Sequence, residues 1–166
     1  MTTLAPSRPP AIQIRAATRD DLDALVALED AAFASDRAER RAIRHAIGSR
    51  SMTLLVALAE DDFGELVLVG AATLERRKGS RRARLSSIAV APSRIGLGLG
   101  GRLLDAAEED ARAHDCTHLR LEVRADNAAG IRLYERRGYH RFAIKPGYYE
   151  DGMEAWRYEK ALAEAG

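Results

Sequence analysis

Ser87-Ile88-Ala89-Val90-Ala91-Pro92-Ser93-Arg94-Ile95-Gly96-Leu97-Gly98-Leu99-Gly100-Gly101 reads as a strand, a sharp stop and the start of a helix. Pro92 cannot extend a ladder, and Leu99, Leu103 and Leu104 beyond it fall on one helical face. Four glycines lie between Gly96 and Gly101. Inside a helix each would cost roughly 1 kcal/mol relative to alanine, so their concentration marks a turn that needs positive φ or close approach of a ligand. Free N–H groups in such a turn, reinforced by the positive end of the helix dipole, suit a pyrophosphate. The alternative is a turn that is merely flexible or tightly packed.

The spacing Gly96-x-Gly98-x-x-Gly101, with Glu122 further on, also fits the dinucleotide fingerprint. The surroundings do not fit it. That fingerprint opens a series of parallel βαβ units, whereas hairpin-type strands precede this turn and a single βαβ unit follows. Glu122 also lies within its strand, while a ribose-reading acid sits at a strand end.

Upstream, Ile12 and Ile14 alternate as in a first strand, and Thr18 before Arg19-Asp20-Asp21 signals the start of a helix carrying Leu22, Leu25 and Leu28. A second helix is expected over Asp36 to Ile47, with Gly48 as its C-terminal cap. Met52 to Ala59, Leu66 to Leu74 and Ala83 to Val90 predict an antiparallel meander. Leu99 to His114 and Asn127 to Arg137 read as helices. Leu119 to Val123, Tyr139 to Ile144 and Met153 to Glu159 read as extended. The expected fold class is mixed α/β (α+β), a largely antiparallel sheet with helices on both faces.

Met1 to Pro10, with three prolines, reads as a disordered leader; 11–162 is expected to form one domain and 163–166 a tail. Of the 166 residues 46% are hydrophobic and 31% charged, a globular composition, and a net charge of +1 predicts no bulk attraction to nucleic acid. The single cysteine, Cys116, the lack of a signal-like apolar run at the start, and apolar stretches too short to span a bilayer predict a cytoplasmic chain without membrane contact. The basic run Arg76-Arg77-Lys78 with Arg81-Arg82-Arg84 flanks a hairpin turn. It is a solvated loop or, at most, a weak docking patch for RNA or an acidic protein.

Taken together, the turn and its flanks resemble motif A of the GCN5-related N-acetyltransferase family, in which (Gln/Arg)-x-x-Gly-x-(Gly/Ala) follows a strand and opens a helix. Ile95-Gly96-Leu97-Gly98-Leu99-Gly100 occupies that register. Ile95 departs from the usual glutamine or arginine, and Arg94, one residue earlier, is the candidate substitute. The likeness runs from Ala11 to Leu162. Leu121-Glu122-Val123-Arg124-Ala125-Asp126-Asn127, continuing to Tyr134 and Gly138-Tyr139, is similar to the ribosomal-protein-alanine acetyltransferase branch.

The resemblance implies the GNAT fold and acetyl-coenzyme A as co-substrate. It places the cofactor against Ile88, Ala89 and Val90, along Arg94, Ile95, Gly96, Leu97, Gly98, Leu99, Gly100 and Gly101, and beside Asn127 and Tyr134. It makes Glu122 the general base and Tyr134 the proton donor to the departing thiolate, with Phe33, Glu122, Tyr148 and Tyr149 on the acceptor side. A homodimer is compatible with it.

Strand alternation points Glu122 away from Leu119, Leu121 and Val123, toward a cleft or, alternatively, into solvent paired with Arg120 or Arg124. Ile131 and Tyr134 share a helical face, which also fits a core tyrosine with its hydroxyl at the edge. Asn127 suits a helix N-cap. His114-Asp115-Cys116-Thr117-His118 contains ligand types, but a helix end separates the two rings, and no metal is expected. Cys116 lies away from the glycine turn, so direct attack by the acceptor is expected. That acceptor is a protein or peptide N-terminus, or a small amine such as a polyamine or antibiotic. A binding module without turnover is the remaining alternative.

Overall fold

Seven strands join in one sheet in the computed structural model, which describes residues 11–163; the leader read at 1–10 and the last residues of the tail lie outside the described residues. Strand β1 (Ile12–Ala16), helix α1 (Leu22–Ala32) and helix α2 (Arg40–Gly48) precede the meander β2 (Met52–Glu60), β3 (Leu66–Arg76) and β4 (Arg82–Val90). Helix α3 (Leu99–Ala113), β5 (His118–Arg124), α4 (Ala128–Arg136), β6 (His140–Lys145) and β7 (Ala155–Ala161) follow. The spatial order is β1-β2-β3-β4-β5-β7-β6, and all neighbours are antiparallel except β4 and β5.

The sheet has an apolar layer on each face, as expected for helices on both sides. Leu74, Leu85, Leu119 and Leu121 pack against Leu103, Leu104 and Tyr139, while Leu54, Val56, Leu58 and Ala71 pack against Leu25, Leu28 and Ile43 of α1 and α2. Burying one such leucine contributes about 1.5–3 kcal/mol. Thr18 and Asp21 form a reciprocal capping box ahead of α1, and Arg15 clamps the same carboxylate at 2.7 and 3.0 Å. No helix among the described residues is long and apolar enough to cross a membrane.

Helix α2 starts later than its sequence suggests. Asp36 adopts φ 57°, in the left-handed region, and Glu39 is the extended N-cap. Contacts made elsewhere hold residues 36–38 out of the helix: Asp36 accepts a hydrogen bond from the Glu150 N–H at 3.3 Å, and Glu29 accepts one from the Ala38 N–H at 3.0 Å. Gly48 is the last helical residue rather than a left-handed cap, and the chain leaves through extended Ser49.

One break in the sheet prepares the site. The parallel ladder of β4 and β5 runs from Arg82 opposite His118 to Leu85 opposite Leu121 and stops. Thr73 of β3 faces Ser87 while Leu74 faces Leu85, so Ser86 is an extra residue that bends β4 away. Beyond this point β4 stays with β3 and β5 with β7, and a cleft opens between them.

Candidate active site

The glycine turn stands at the end of β4. Gly96 and Gly98 have φ of 87° and 80°, and Gly98 is the N-cap of α3. The first hydrogen bond entering the helix there runs from the Arg102 N–H to the Gly98 carbonyl at 3.2 Å, which leaves the N–H groups of Leu99, Gly100 and Gly101 as helix-end donors. These donors and the dipole fit a pyrophosphate.

The other two glycines serve packing. A Cβ on Gly101 would lie 2.3 Å from the Arg137 guanidinium, and one on Gly100 3.4 Å from Leu133, so they let α4 and the residue that follows it approach α3. The side chains of Ile95 and Leu97 are exposed, whereas Leu99 is buried in the core and can offer a ligand only its backbone. Ala89 is also buried, in the layer under α1 and α2.

The cleft between β4 and β5, about 690 Å³, is lined by Phe33, Ile88, Glu122, Asn127, Tyr134 and Tyr149 among others. Six residues expected at the site therefore meet on one surface, although they span most of the chain. Arg94, Ile95 and the glycines lie outside that lining, at the turn. Tyr148 also lies outside it, with its hydroxyl held by Arg84.

Asn127 caps α4 by accepting the Gly130 N–H at 3.0 Å, which fixes its side chain at the cleft. Tyr134 is buried against the rings of Tyr139 and Tyr158, at centroid distances of 6.0 and 6.5 Å. Burial, with Tyr149 adding to it, raises the Tyr134 phenol well above its ordinary pKa, so it stays protonated. Tyr134 is thus a core residue that also lines the cleft.

Glu122 is turned inward, with 8% of its side chain exposed. It does not pair with Arg120 or Arg124. Arg120 binds Glu159, while Arg124 bridges Asp126 and Asp151. The reason is register: Arg157 of β7 lies directly opposite Glu122 and reaches it at 3.5 Å, and the Arg84 Nε donates to it at 3.0 Å. Arg84 also donates to Glu75 at 2.8 Å and to the Tyr148 hydroxyl at 3.1 Å. Burial disfavours the Arg84 charge, but Glu122 and Glu75 outweigh that and raise its pKa. Tyr149 is pushed up to about 12 by burial, then by Tyr148 and Glu122.

Residues 20–139 match the Acetyltransferase (GNAT) family. The chain belongs to that family. It is 30% identical over 151 residues to the N-terminal acetyltransferase A complex catalytic subunit NAA10 of Arabidopsis thaliana, covering 90% of this chain and 77% of that one. Over 74 residues it is 42% identical to the ribosomal protein bS18-alanine N-acetyltransferase of Escherichia coli strain K12, covering 43% of this chain and 50% of that enzyme. The crystal structure of a ribosomal-protein-alanine N-acetyltransferase from Escherichia coli superposes with a TM-score of 0.79 at 26% identity, over 94% of this chain and 97% of that one. The protein is an acyl-CoA-dependent N-acetyltransferase with a GNAT fold.

Several residues of this GNAT cleft were invisible in the sequence. Arg84 reads there as part of a basic hairpin, yet that run is divided by the fold. Arg76 turns back to Asp110 and the Thr53 hydroxyl, Arg84 enters the acidic pair at the cleft, and only Arg77, Lys78, Arg81 and Arg82 remain exposed on the hairpin. Glu75 and Arg157 carried no motif signal; only the pairing of β3, β4, β5 and β7 brings them to Glu122. The two histidines of the 114–118 segment bind locally, His114 to the Asp110 carbonyl and His118 to the Thr117 hydroxyl. Cys116 is buried behind the helix end, away from the cleft lining, and burial raises its thiol pKa.

Proposed function

We propose that this GNAT enzyme acetylates the α-amine of a protein or peptide N-terminus by direct attack, with Glu122 as base and Tyr134 as acid. The observation that carries the reading is the convergence of Glu122, Asn127 and Tyr134 on one cleft beside the split of β4 and β5. The names of the two curated relatives, both N-terminal or alanine N-acetyltransferases, support the acceptor class.

Acetyl-coenzyme A supplies the acetyl thioester. Helix-end N–H groups of Leu99, Gly100 and Gly101 would hold its pyrophosphate, and the cleft would receive the arm that follows. Glu122 takes a proton from the acceptor amine, directly or through water, as the N–C bond forms. Tyr134 gives its phenolic proton to the sulfur as the C–S bond breaks. At pH 7 roughly a tenth of an α-amine with pKa near 8 is neutral, against about one part in 2,500 of a lysine near 10.4, so one carboxylate suffices for the former.

The test is a panel of N-terminal peptides, internal-lysine peptides, polyamines and aminoglycosides, read by coenzyme A release and by mass spectrometric placement of the acetyl group. The expected result is α-amine acetylation. Turnover confined to lysine side chains or faster on small amines than on every peptide would overturn the reading.

A further inference from the structure

The acceptor cleft does not end at Glu122. Under α1 and α2 it continues into a pouch walled largely by apolar side chains, among them Ala32 of α1, Phe33 just after it, Ala42 and Ala46 of α2, Met52 of β2 and Ala71 of β3. Ala46 and Ala71 are 3% and 8% exposed and belong to the core, while Phe33 and Met52 are half-buried and Ala42 is open to solvent at the rim. Glu29, the carboxylate beside it, is occupied by the Ala38 N–H at 3.0 Å.

Four alanines stand where larger side chains would fill the space between two helices and a sheet. Arg37 and Glu75, which line the wider cleft, are ion-paired with Asp30 and Arg84, and the apolar stretch between the helices and the sheet favours a hydrocarbon over an ammonium or a carboxylate. Residues 33–36 and Tyr149 line the same cleft as Glu122, where the proposed chemistry puts the reacting amine.

Resting on the proposed α-amine reading, we infer that this pouch receives the first side chain of the acceptor, and that the enzyme selects a large aliphatic or thioether first residue, leucine or methionine, over alanine or serine. The amine stays at Glu122 while the side chain turns beneath α2. Hydrophobic pockets discriminate between side chains differing by a few methylene groups by about 10- to 200-fold.

The experiment uses peptides identical except for Ala, Ser, Leu, Met or Phe at the first position, with acetyl-CoA as donor. Leu and Met peptides are expected to exceed Ala and Ser in kcat/KM by about 10-fold or more, mainly through KM. Ala42→Leu, at the solvent-exposed rim where a longer side chain need not disturb folding, is expected to lower the Leu-to-Ala ratio about fivefold or more by occupying the mouth. Ala32→Leu gives a second route to the same filling. An Ala or Ser preference in the unsubstituted enzyme, or an unchanged ratio in both folded variants, overturns the inference while leaving α-amine acetylation standing. Preference for hexanoyl- over acetyl-CoA with equal rates on Leu and Ala peptides assigns the pouch to the acyl chain and also overturns it. Failure on every peptide with turnover of small amines removes the α-amine reading and this inference together.

Discussion

At the head of α3 the groups offered to a ligand are backbone N–H groups of neighbouring residues, whereas around Glu122 they are side chains from β3, β4, β5, β7 and the segment before β7. The first arrangement is made within six residues by two glycines in the left-handed region and a helix start. The second joins Glu75, Arg84, Glu122, Tyr148 and Arg157, residues drawn from more than half the length of the domain. A backbone site tolerates changes of side chain, and a turn that binds as proposed would accept Ile95 where the resembled motif has glutamine or arginine. A side-chain site depends on each member, so the two ends of the cleft should respond differently to substitution.

The largest effect should come from the chemistry on the acceptor side of the cleft. Tyr134→Phe keeps the ring packed against Tyr139 and Tyr158 and removes the proposed proton donor, so kcat should fall about 10²-fold or more while acetyl-CoA affinity and Tm stay near those of the parent. Because burial raises its pKa, Tyr134 remains protonated well above neutrality and should add no alkaline loss below pH 9. Glu122→Gln should also slow turnover, with a deficit that shrinks as pH rises through about 8, since the acceptor amine is then neutral without help. Steady-state kinetics on folded protein checks both. Near-normal kcat for Tyr134→Phe would make the tyrosine a core residue and transfer the acid role to water.

A smaller effect, confined to the cofactor, is expected at the turn. Gly98 has φ 80° with nothing within 4 Å of a built Cβ, so Gly98→Val meets backbone strain rather than a clash. Holding a β-branched residue there costs about 1–2 kcal/mol, and relaxation of the turn withdraws donors from the pyrophosphate. Acetyl-CoA binding by calorimetry should weaken about 10-fold, more than the loss of unliganded stability accounts for. Leu97→Ala, which changes only an exposed side chain, should shift affinity much less. Equal losses for both variants would mean that the turn binds through side chains, and the contrast between the two ends would fail.

This contrast also explains what could be read in advance. The turn, the capping residue Asn127 and the alternation that turns Glu122 from the α3 core are local features, written in spacing and period. The late start of α2 was not, because Asp36 and Ala38 are held by Glu150 and Glu29 across loop contacts. Arg84 was misplaced for the same reason: in sequence its neighbours are the arginines of a hairpin, and in space they are carboxylates. The apolar face of Leu119, Leu121 and Val123 predicts which way Glu122 points, but only strand order supplies Arg157 as its partner.

The smallest effect on kcat is expected at Arg84, where one guanidinium makes two contacts. Its Nε donates to Glu122, and another nitrogen donates to the Tyr148 hydroxyl, on the proposed acceptor side. Its side chain is 37% exposed, which softens the loss relative to a fully buried pair, so stability should fall by only about 1 kcal/mol in Arg84→Gln. Arg157 still faces Glu122 at 3.5 Å, so the carboxylate remains charge-paired and kcat on a small amine should drop about threefold or less. For a peptide, which also needs the Tyr148 segment, KM should rise about three- to fivefold in addition. Arg84→Lys separates charge from geometry, since an ammonium restores charge but cannot direct hydrogen bonds to Glu75, Glu122 and Tyr148 from fixed positions. Recovery of kcat without recovery of peptide KM would show that Arg84 acts on the acceptor wall through geometry. Recovery of both by lysine would reduce its role to charge, and the Tyr148 contact would then contribute nothing to acceptor binding.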